Sequence, residues 1–370
     1  MVIPALFRYF KGASKRSAFF ILSDLIENLF FSTKNTFYFH SLNSALLLKK
    51  IVALLIIIIS SSTLFAQEEV QFTHHYFITP LYNPAGVGNH PAFNAGADFR
   101  VQWLGITGQP ISQMLYANMP IKQIHGGLGA IVLNDFSGAH RSTTFNLQYA
   151  YAKKLSLGMF YGAAEVGLIQ YNLQGNKLRA PDGVYANGID HNDVKLPEES
   201  TNAFSPDLGI GFKLNAKKWN AGLSIKHLYS TPLTFTTNTG QSGTVQYKPS
   251  LYTSFAYLVV LNSSIELHPS LLFKSDFKKA TLDWGAIATY KSKYIAGLGF
   301  RGFTPHSFDA LAISLGYQLT DKLFLIYSYD LTLSRLIRVS TGSHELSIHY
   351  KMAPPAPPVR GKIIYSPRFL

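Results

Sequence analysis

The chain has 370 residues, a formal net charge of +13 and no cysteine. Hydrophobic residues make up 47% of it and charged residues 14%, whereas soluble domains average about 25% charged residues. The lack of cysteine excludes disulfides, thiolate metal sites, cysteine nucleophiles and lipid attachment at a cysteine. Aromatic residues reach 14%, which argues against a disordered chain. No basic run or nucleic-acid-binding motif is present, so no nucleic-acid partner is predicted.

Residues 49–66 are predicted to be a signal peptide. Lys49 and Lys50 precede the apolar run 51–59, and small residues follow it up to Ala66, after which we expect cleavage. The alternative is a membrane anchor, but the run is shorter than the roughly 20 residues that a spanning helix needs. Residues 1–48 are interpreted as a mis-assigned N-terminal extension, with translation beginning at Leu48.

Residues 67–91 are predicted to be a periplasmic or luminal N-terminal segment. They are rich in aromatic residues and turn formers but lack strand periodicity. His74 and His75 could bind a metal, but sequence neighbours rarely converge on one ion without further ligands. We therefore predict neither a metal nor a cofactor.

From residue 92 to 352 the sequence alternates with a period of two, which is typical of strands. In 207–214, for example, Leu208, Ile210 and Phe212 share one face, opposite Asp207 and Lys213. Several strands begin or end with Trp or Tyr, where a membrane barrel places its aromatic girdles. The pattern predicts an all-β, outer-membrane type of transmembrane antiparallel β-barrel with about 14 strands. The predicted strands are 92–104, 113–119, 126–134, 143–153, 156–173, 207–214, 218–228, 248–259, 263–274, 279–290, 293–302, 308–318, 322–330 and 344–351.

The predicted connections alternate in length. Short polar turns occur at 153–155, 215–217, 261–262, 291–292 and 320–321, and the intervening connections tend to be longer, notably 174–206, 229–247 and 331–343. This asymmetry is typical of outer-membrane barrels, whose short turns are periplasmic. An even strand number would place both chain termini in the periplasm. A soluble β-sandwich is the alternative, but its outward faces would be charged.

Seven ionisable residues fall on the polar face of the predicted strands, which in a barrel faces the lumen. They would line water or pair across the interior, and they are Arg100, Lys226, Glu266, Asp283, Arg301, Asp330 and Glu345. Ser343, His344 and Glu345 carry the side chains of a hydrolase triad. Because adjacent strand residues point to opposite faces, no catalytic set is predicted and the chain is not expected to be an enzyme.

Residues 353–370 are predicted to be a proline-linked periplasmic tail. A stiff proline spacer precedes a basic and aromatic peptide, which is a pattern found in docking segments. The alternative is an untethered terminus. The predicted partner-binding residues are Arg360, Lys362, Tyr365, Arg368 and Phe369.

The ordered motifs of the chain resemble the PorP/SprF family of outer-membrane proteins of the type IX secretion and gliding-motility system. The resemblance covers essentially all of 70–352. The motifs are Tyr76-Phe77-Ile78-Thr79-Pro80-Leu81-Tyr82-Asn83-Pro84-Ala85-Gly86, Arg100-Val101-Gln102-Trp103-Leu104-Gly105, Pro206-Asp207-Leu208-Gly209-Ile210-Gly211, Ser224-Ile225-Lys226-His227-Leu228, Tyr327-Ser328-Tyr329-Asp330 and Gly342-Ser343-His344-Glu345-Leu346.

The resemblance implies a non-enzymatic barrel in the outer membrane. Its expected partners are outer-membrane lipid, a large secreted surface adhesin that it helps to export or anchor, and a periplasmic component of the secretion system. Two other functions stay open. A channel or fatty-acid-type transporter also uses about 14 strands and an N-terminal segment in the lumen, and a barrel enzyme would need catalytic residues converging at one rim.

Overall fold

In the computed structural model, the described residues are 70–186, 188–193, 196–236, 242–302 and 308–352. They form one closed antiparallel sheet, a separate two-stranded hairpin and a segment that lies inside the closed sheet. The predicted extension 1–48, the signal peptide 49–66, the tail 353–370 and the five docking residues of that tail lie outside the described residues.

The sheet contains seven strands before the connection 231–249 and eight after it. The first group is β1 (Asn94–Val101), β2 (Ile111–Ile121), β3 (Gly126–Ser137), β4 (His140–Lys154), β5 (Met159–Gln174), β6 (Ser200–Asn215) and β7 (Trp219–Ser230). A separate two-stranded hairpin follows, β8 (Leu233–Thr236) and β9 (Ser242–Val245). The second group is β10 (Ser250–Tyr257), β11 (Val259–Asn262), β12 (Ile265–Ser275), β13 (Ala280–Tyr290), β14 (Tyr294–Arg301), β15 (Ala310–Gln318), β16 (Leu323–Thr332) and β17 (Ser343–Lys351).

Three pairings close the sheet into a barrel. The first strand pairs with the last, with Asn94 opposite Lys351, and β10 pairs with both β7 and β12. β10 and β11 are successive pieces of one strand interrupted at Leu258, so the barrel has 14 strand positions. Closure leaves no unpaired strand edge, which hydrocarbon could not satisfy. The predicted fold class and strand number are confirmed.

Alternation along the strands separates an apolar exterior from a polar interior. In β6, Asp207 and Lys213 are buried, whereas Leu208 and Phe212 are exposed. On β15, Leu315 is 62% exposed and faces outward, while its neighbour Ser314 is buried. An outward face of Leu, Ile, Phe and Tyr has to be covered by lipid, because water would not solvate it favourably.

The two ends of the barrel differ, and we call them the turn end and the loop end. The turn end carries the short connections 122–125, 155–158, 216–218, 263–264, 291–293 and 319–322, together with the start of β1 and the end of β17. The loop end carries 102–110, 138–139, 175–199, 231–249, 276–279, 302–309 and 333–342. Two of these loop-end connections, 138–139 and 276–279, are as short as turns, so the predicted asymmetry holds for most connections but not for all.

Aromatic side chains are grouped at the turn end. Tyr290, Tyr294 and Tyr317 are exposed, and the rings of Tyr294 and Tyr317 lie 5.4 Å apart. Such a group is expected where the hydrocarbon meets water. Among the described residues, none of the helices has the length and apolarity that are needed to cross a bilayer.

Candidate functional site

The lumen contains the segment 70–91, which enters β1 at the turn end. The segment includes one helical turn, α1 (Thr79–Tyr82), followed by a 3₁₀ turn at Pro84–Gly86. Its apolar residues Phe72 and Ile78 are fully buried and belong to a cluster with inward residues of the wall such as Met114. The segment is therefore packed into the barrel and not laid across its mouth.

Asn83 attaches the middle of the segment to the barrel wall. Its Oδ1 accepts a hydrogen bond from the Ala85 backbone N–H at 2.9 Å, which begins the 3₁₀ turn. Its Nδ2 donates to the backbone carbonyl of Phe212 at 3.0 Å and lies 3.4 Å from that of Leu223. One side chain thus links the segment to β6 and β7 together.

Two glycines make this close approach possible. A Cβ atom at Gly211 would overlap Asn83 Oδ1, and one at Gly222 would lie 2.8 Å from Asn83 Nδ2. Both positions face the lumen, where glycine lets another part of the chain approach the strand backbone. The sequence indicated that Gly209 and Gly211 belong to a strand, but it did not show what approaches them.

Wall side chains satisfy the backbone carbonyls of α1. Gln148 Nε2 donates to the Pro80 carbonyl at 2.8 Å, Lys226 Nζ to that of Leu81 at 3.0 Å, and Ser224 Oγ to that of Tyr82 at 2.5 Å. Helix carbonyls buried away from water need such partners, because unpaired buried polar groups are costly. Lys226 Nζ also lies 3.3 Å from Glu165 Oε1, so its charge is neutralised inside the lumen.

In the loop half of the lumen, the wall holds a buried set of ion pairs that we call the ion network. At its centre Arg100 donates to Asp330 Oδ2 at 2.7 Å and to Glu345 Oε2 at 3.0 Å. Arg100 and Glu345 are register partners on β1 and β17, so strand pairing itself brings them together. Each of the three residues is 1% exposed.

Arg301 extends the network along β13 and β14. Its Nε donates to Asp283 Oδ1 at 3.2 Å and its Nη1 to Asp330 Oδ2 at 3.3 Å. Lys274 Nζ donates to the other oxygen of Asp283 at 2.8 Å. Asp309, at the rim, lies 3.7 Å from Arg301 Nη1 and is less buried. Five of the seven predicted luminal ionisable residues therefore lie in this one network, namely Arg100, Asp283, Arg301, Asp330 and Glu345.

Thr73 and His74 join the luminal segment to the network. The backbone N–H of Thr73 donates to Glu345 Oε2 at 2.7 Å, and that of His74 donates to Glu345 Oε1 at 2.8 Å. The imidazole of His74 contacts Ser347 through Nδ1, and Ser347 in turn donates to Asp98. Its Nε2 lies 2.5 Å from Ser328 Oγ.

The charges of the network balance when His74 is protonated. The buried carboxylates are Asp98, Asp283, Asp330 and Glu345, and the buried cations are Lys274, Arg100 and Arg301. Burial lowers the pKa of His74, but Glu345 and Asp98 more than offset this, and its pKa lies above the usual value of about 6.5. Protonation of His74 would supply a fourth positive charge for the four carboxylates.

His74, Asp98 and Glu345 also have the composition of a metal site, because their ligand atoms lie within 4.8 Å of one another. Both nitrogens of His74, however, already contact serine hydroxyls, and Arg100 holds the other oxygen of Glu345. A metal cation there would lie beside the guanidinium of Arg100. It would also add positive charge to a network whose charges already balance when His74 is protonated. The donor set fits a proton better than a divalent metal.

The remaining predicted residues lie elsewhere. Glu266 has a half-exposed side chain near the turn end, 3.7 Å from His268 Nε2, and does not join the network. Ser343 and Glu345 are buried, whereas the ring of His344 contacts the hydroxyl of Tyr327 on the outer side. Ser343 Oγ accepts from the backbone N–H of Trp103. The three residues do not converge as a triad.

Sequence reasoning considered His74 only as a possible metal ligand, and it missed other residues of the lumen, above all Thr73, Asp98, Lys274 and Glu165. Asp98 and Lys274 lie on inward faces of strands and could have been found by extending the alternation of their strands. Thr73 and His74 could not be assigned to the network in this way, because the luminal segment has no periodicity and several of its partners lie more than 250 residues away in the sequence.

The architecture defines a class: the chain is an outer-membrane type of β-barrel with an occupied lumen. The family model described as "Type IX secretion system membrane protein PorP/SprF" matches residues 64–350. The chain belongs to this family. The family and the barrel class are those of secretion and transport membrane proteins.

Solved outer-membrane barrels show a distant likeness. The outer membrane protein Omp33 of Acinetobacter baumannii is 6% identical, with 70% of this chain and 98% of that chain covered and a TM-score of 0.40. The toluene transporter TbuX of Ralstonia pickettii is 11% identical, with 73% and 92% covered and a TM-score of 0.43. The toluene transporter TodX of P. putida is 10% identical, with 72% and 92% covered and a TM-score of 0.42. These values say nothing about what the chain binds. None of the curated proteins with which the chain was compared matches it.

Proposed function

We infer that this chain is a non-enzymatic outer-membrane component of the type IX secretion and gliding system. In this function it supports the export or surface anchoring of a large adhesin, or it links the barrel to periplasmic machinery. Membership of the PorP/SprF family supports the secretion role. The adhesin and the periplasmic link come from the resemblance to other members of the family.

The observation that carries the proposal is the occupied lumen. The segment 70–91 contacts the wall on β4, β6, β7, β12, β16 and β17 through hydrogen bonds. An open channel would need a solute path through the same space. The contacts of Asn83 and His74 hold the segment at two separate depths, which favours a scaffold over an open pore.

The proposed orientation places the turn end, with both ends of the barrel chain, in the periplasm. Short connections are periplasmic in outer-membrane barrels, and the long ones face the outside. The longest connection, 175–199, would then be available to a surface protein. The tail 353–370, which follows β17, would be available to a periplasmic partner.

The proposal is tested in the cells that make the protein. Deletion of the gene is expected to remove at least one large protein from the shaved surface proteome, measured by mass spectrometry. The wild-type gene should restore that protein, whereas a variant in which 178–196 is replaced by a Gly-Ser linker should not. Arg141→Met, an exposed substitution near the loop end, serves as the matched control and should restore it. An unchanged surface proteome in the deletion strain would contradict the secretion role.

A further inference from the structure

A cavity of about 380 Å³ lies in the turn half of the lumen, between the luminal segment and the wall formed by β6, β7, β10 and β12. Its volume falls within the range of about 300–1,000 Å³ that is typical of ligand pockets. Aromatic side chains, among them Tyr76, Tyr82 and Tyr252, contribute apolar walls. The lining also carries an unusual distribution of charge.

Lys213 is the buried charge of this cavity. Its side chain is on the inward face of β6, only 6% of the residue is exposed, and it has no hydrogen-bond or ion-pair partner among the described residues. A buried, unpaired ammonium group is costly, since the effective penalty is several kcal/mol per ion. Each of the other buried Lys and Arg residues that the structure describes contacts a carboxylate: Arg100, Lys226, Lys274 and Arg301.

The charge around Lys213 is positive. The other charged residues that line the cavity are Lys217, Lys218 and Lys351, and none of the described lining residues is Asp or Glu. Burial, followed by the charges of Lys351 and Lys213, lowers the pKa of His90 to about 4, so this lining residue is neutral. The half-exposed carboxylate of Glu266 contacts the lining residue His268 but does not itself line the cavity.

The other polar groups that line the cavity need hydrogen-bond donors as well as acceptors as partners. Both ring nitrogens of His75, and the side-chain oxygens of Asn89 and Asn215, are buried without a hydrogen-bond partner among the described residues. Burial lowers the pKa of His75 to about 4, so its ring is neutral and presents one donor and one acceptor. A fatty acid or an inorganic anion would satisfy Lys213 but would offer few donors to these groups.

We propose that this cavity binds the C-terminal carboxylate of a peptide. The carboxylate pairs with Lys213, the peptide N–H groups reach the unpartnered acceptors of the lining, and an apolar terminal side chain packs on the aromatic walls. The site opens toward the turn end, next to the lysines 217 and 218. It does not depend on the secretion role proposed above, because the cavity is a property of the barrel and its luminal segment.

The test is isothermal titration calorimetry on the full-length barrel in detergent micelles. N-acetyl-Ala-Phe with a free carboxylate is compared with its C-terminal amide, with benzoate and with inorganic phosphate. We expect the free acid to bind at least about tenfold more tightly than the amide and the two small anions, because only the acid offers both the charge and the N–H donors. This comparison needs no variant and does not depend on the folding of a mutant.

Lys213→Met should weaken binding of the acid at least about tenfold and abolish its advantage over the amide. Lys153→Met removes an exposed lysine at the same end of the barrel, away from the cavity, and should leave binding unchanged. Equal binding of acid and amide, equal binding of phosphate, or no heat with any of the probes would overturn the proposal and would leave a hydrated cavity only. Wild-type binding by Lys213→Met would overturn it as well.

Discussion

The loop half and the turn half of the lumen are built from the same alternating strands, but they differ in whether their buried charges are paired. In the loop half, Arg100 and Arg301 are each held by two or more carboxylates, and the luminal segment adds Thr73 and His74 to the same network. In the turn half, Lys213 is buried without a partner beside a cavity. The difference teaches that the paired charges of the first half contribute to holding the segment, whereas the unpaired charge of the second lowers stability in a way that is typical of a binding site.

The largest expected effect comes from breaking the centre of the ion network. Arg100→Met leaves Asp330 and Glu345 with fewer positive partners, and removal of one partner of a buried ion pair costs about 3–5 kcal/mol. The measurement is the free energy of unfolding in urea, with refolding into lipid vesicles. Arg141→Met is the control, because Arg141 is exposed and we expect a change of about 1 kcal/mol or less. A loss of about 1 kcal/mol for Arg100→Met would show that the network does not hold the loop half together.

A smaller effect is expected where the luminal segment meets the wall. Gly211→Ala would force the Cβ atom into Asn83, and overpacking of this kind costs about 1–3 kcal/mol. Gly299→Ala is the matched control, since its Cβ atom would meet its nearest neighbour at 3.6 Å, an ordinary contact distance. Combining Gly211→Ala with Asn83→Ala should recover part of the loss. Equal unfolding free energies for the two glycine variants would contradict the described docking of Asn83.

The smallest expected effects on the free energy of unfolding come from replacing two buried lysines, one paired and one unpaired. Lys274→Met removes a hydrogen-bonded partner of Asp283, and we expect a loss of about 1–3 kcal/mol because Arg301 still holds that carboxylate. Lys213→Met removes an unpaired charge, so the free energy of unfolding should stay unchanged or rise. Comparable losses in both variants would mean that Lys213 has a stabilising partner and that the two halves do not differ.

The barrel could be predicted from the sequence because strand alternation is a local property. Each of the 14 predicted strands overlaps an observed one, and the inward and outward faces of 207–214 are as the period of two indicates. The break at Leu258 was not predicted; the register against β12 is the same on both sides of it, and the register shift lies further on, between Val260 and Asn262. The observed strand boundaries at the loop end differ from the predicted ones by several residues. For example, β6 begins at Ser200, whereas the predicted strand began at residue 207.

The site could be predicted only in part. Polar residues on inward faces, such as Arg100 and Asp330, follow from the alternation, but their pairing depends on barrel closure between β1 and β17. The luminal segment has no period, and its contacts, such as Thr73 with Asp330, join positions 257 residues apart. Whether Lys213 has a partner depends on the residues that several strands and the luminal segment bring around it in the folded barrel. No local sequence pattern could therefore have shown that it has none.

The central claim is that the luminal segment occupies the barrel and makes it a scaffold. Planar-bilayer recording tests this most directly, with the full-length protein compared with a variant in which 72–86 is replaced by a Gly-Ser linker. We predict no steady conductance for the full-length protein and discrete conductance steps for the variant, because the linker lacks the contacts of His74 and Asn83. Steady conductance of the same size in both proteins would contradict the account.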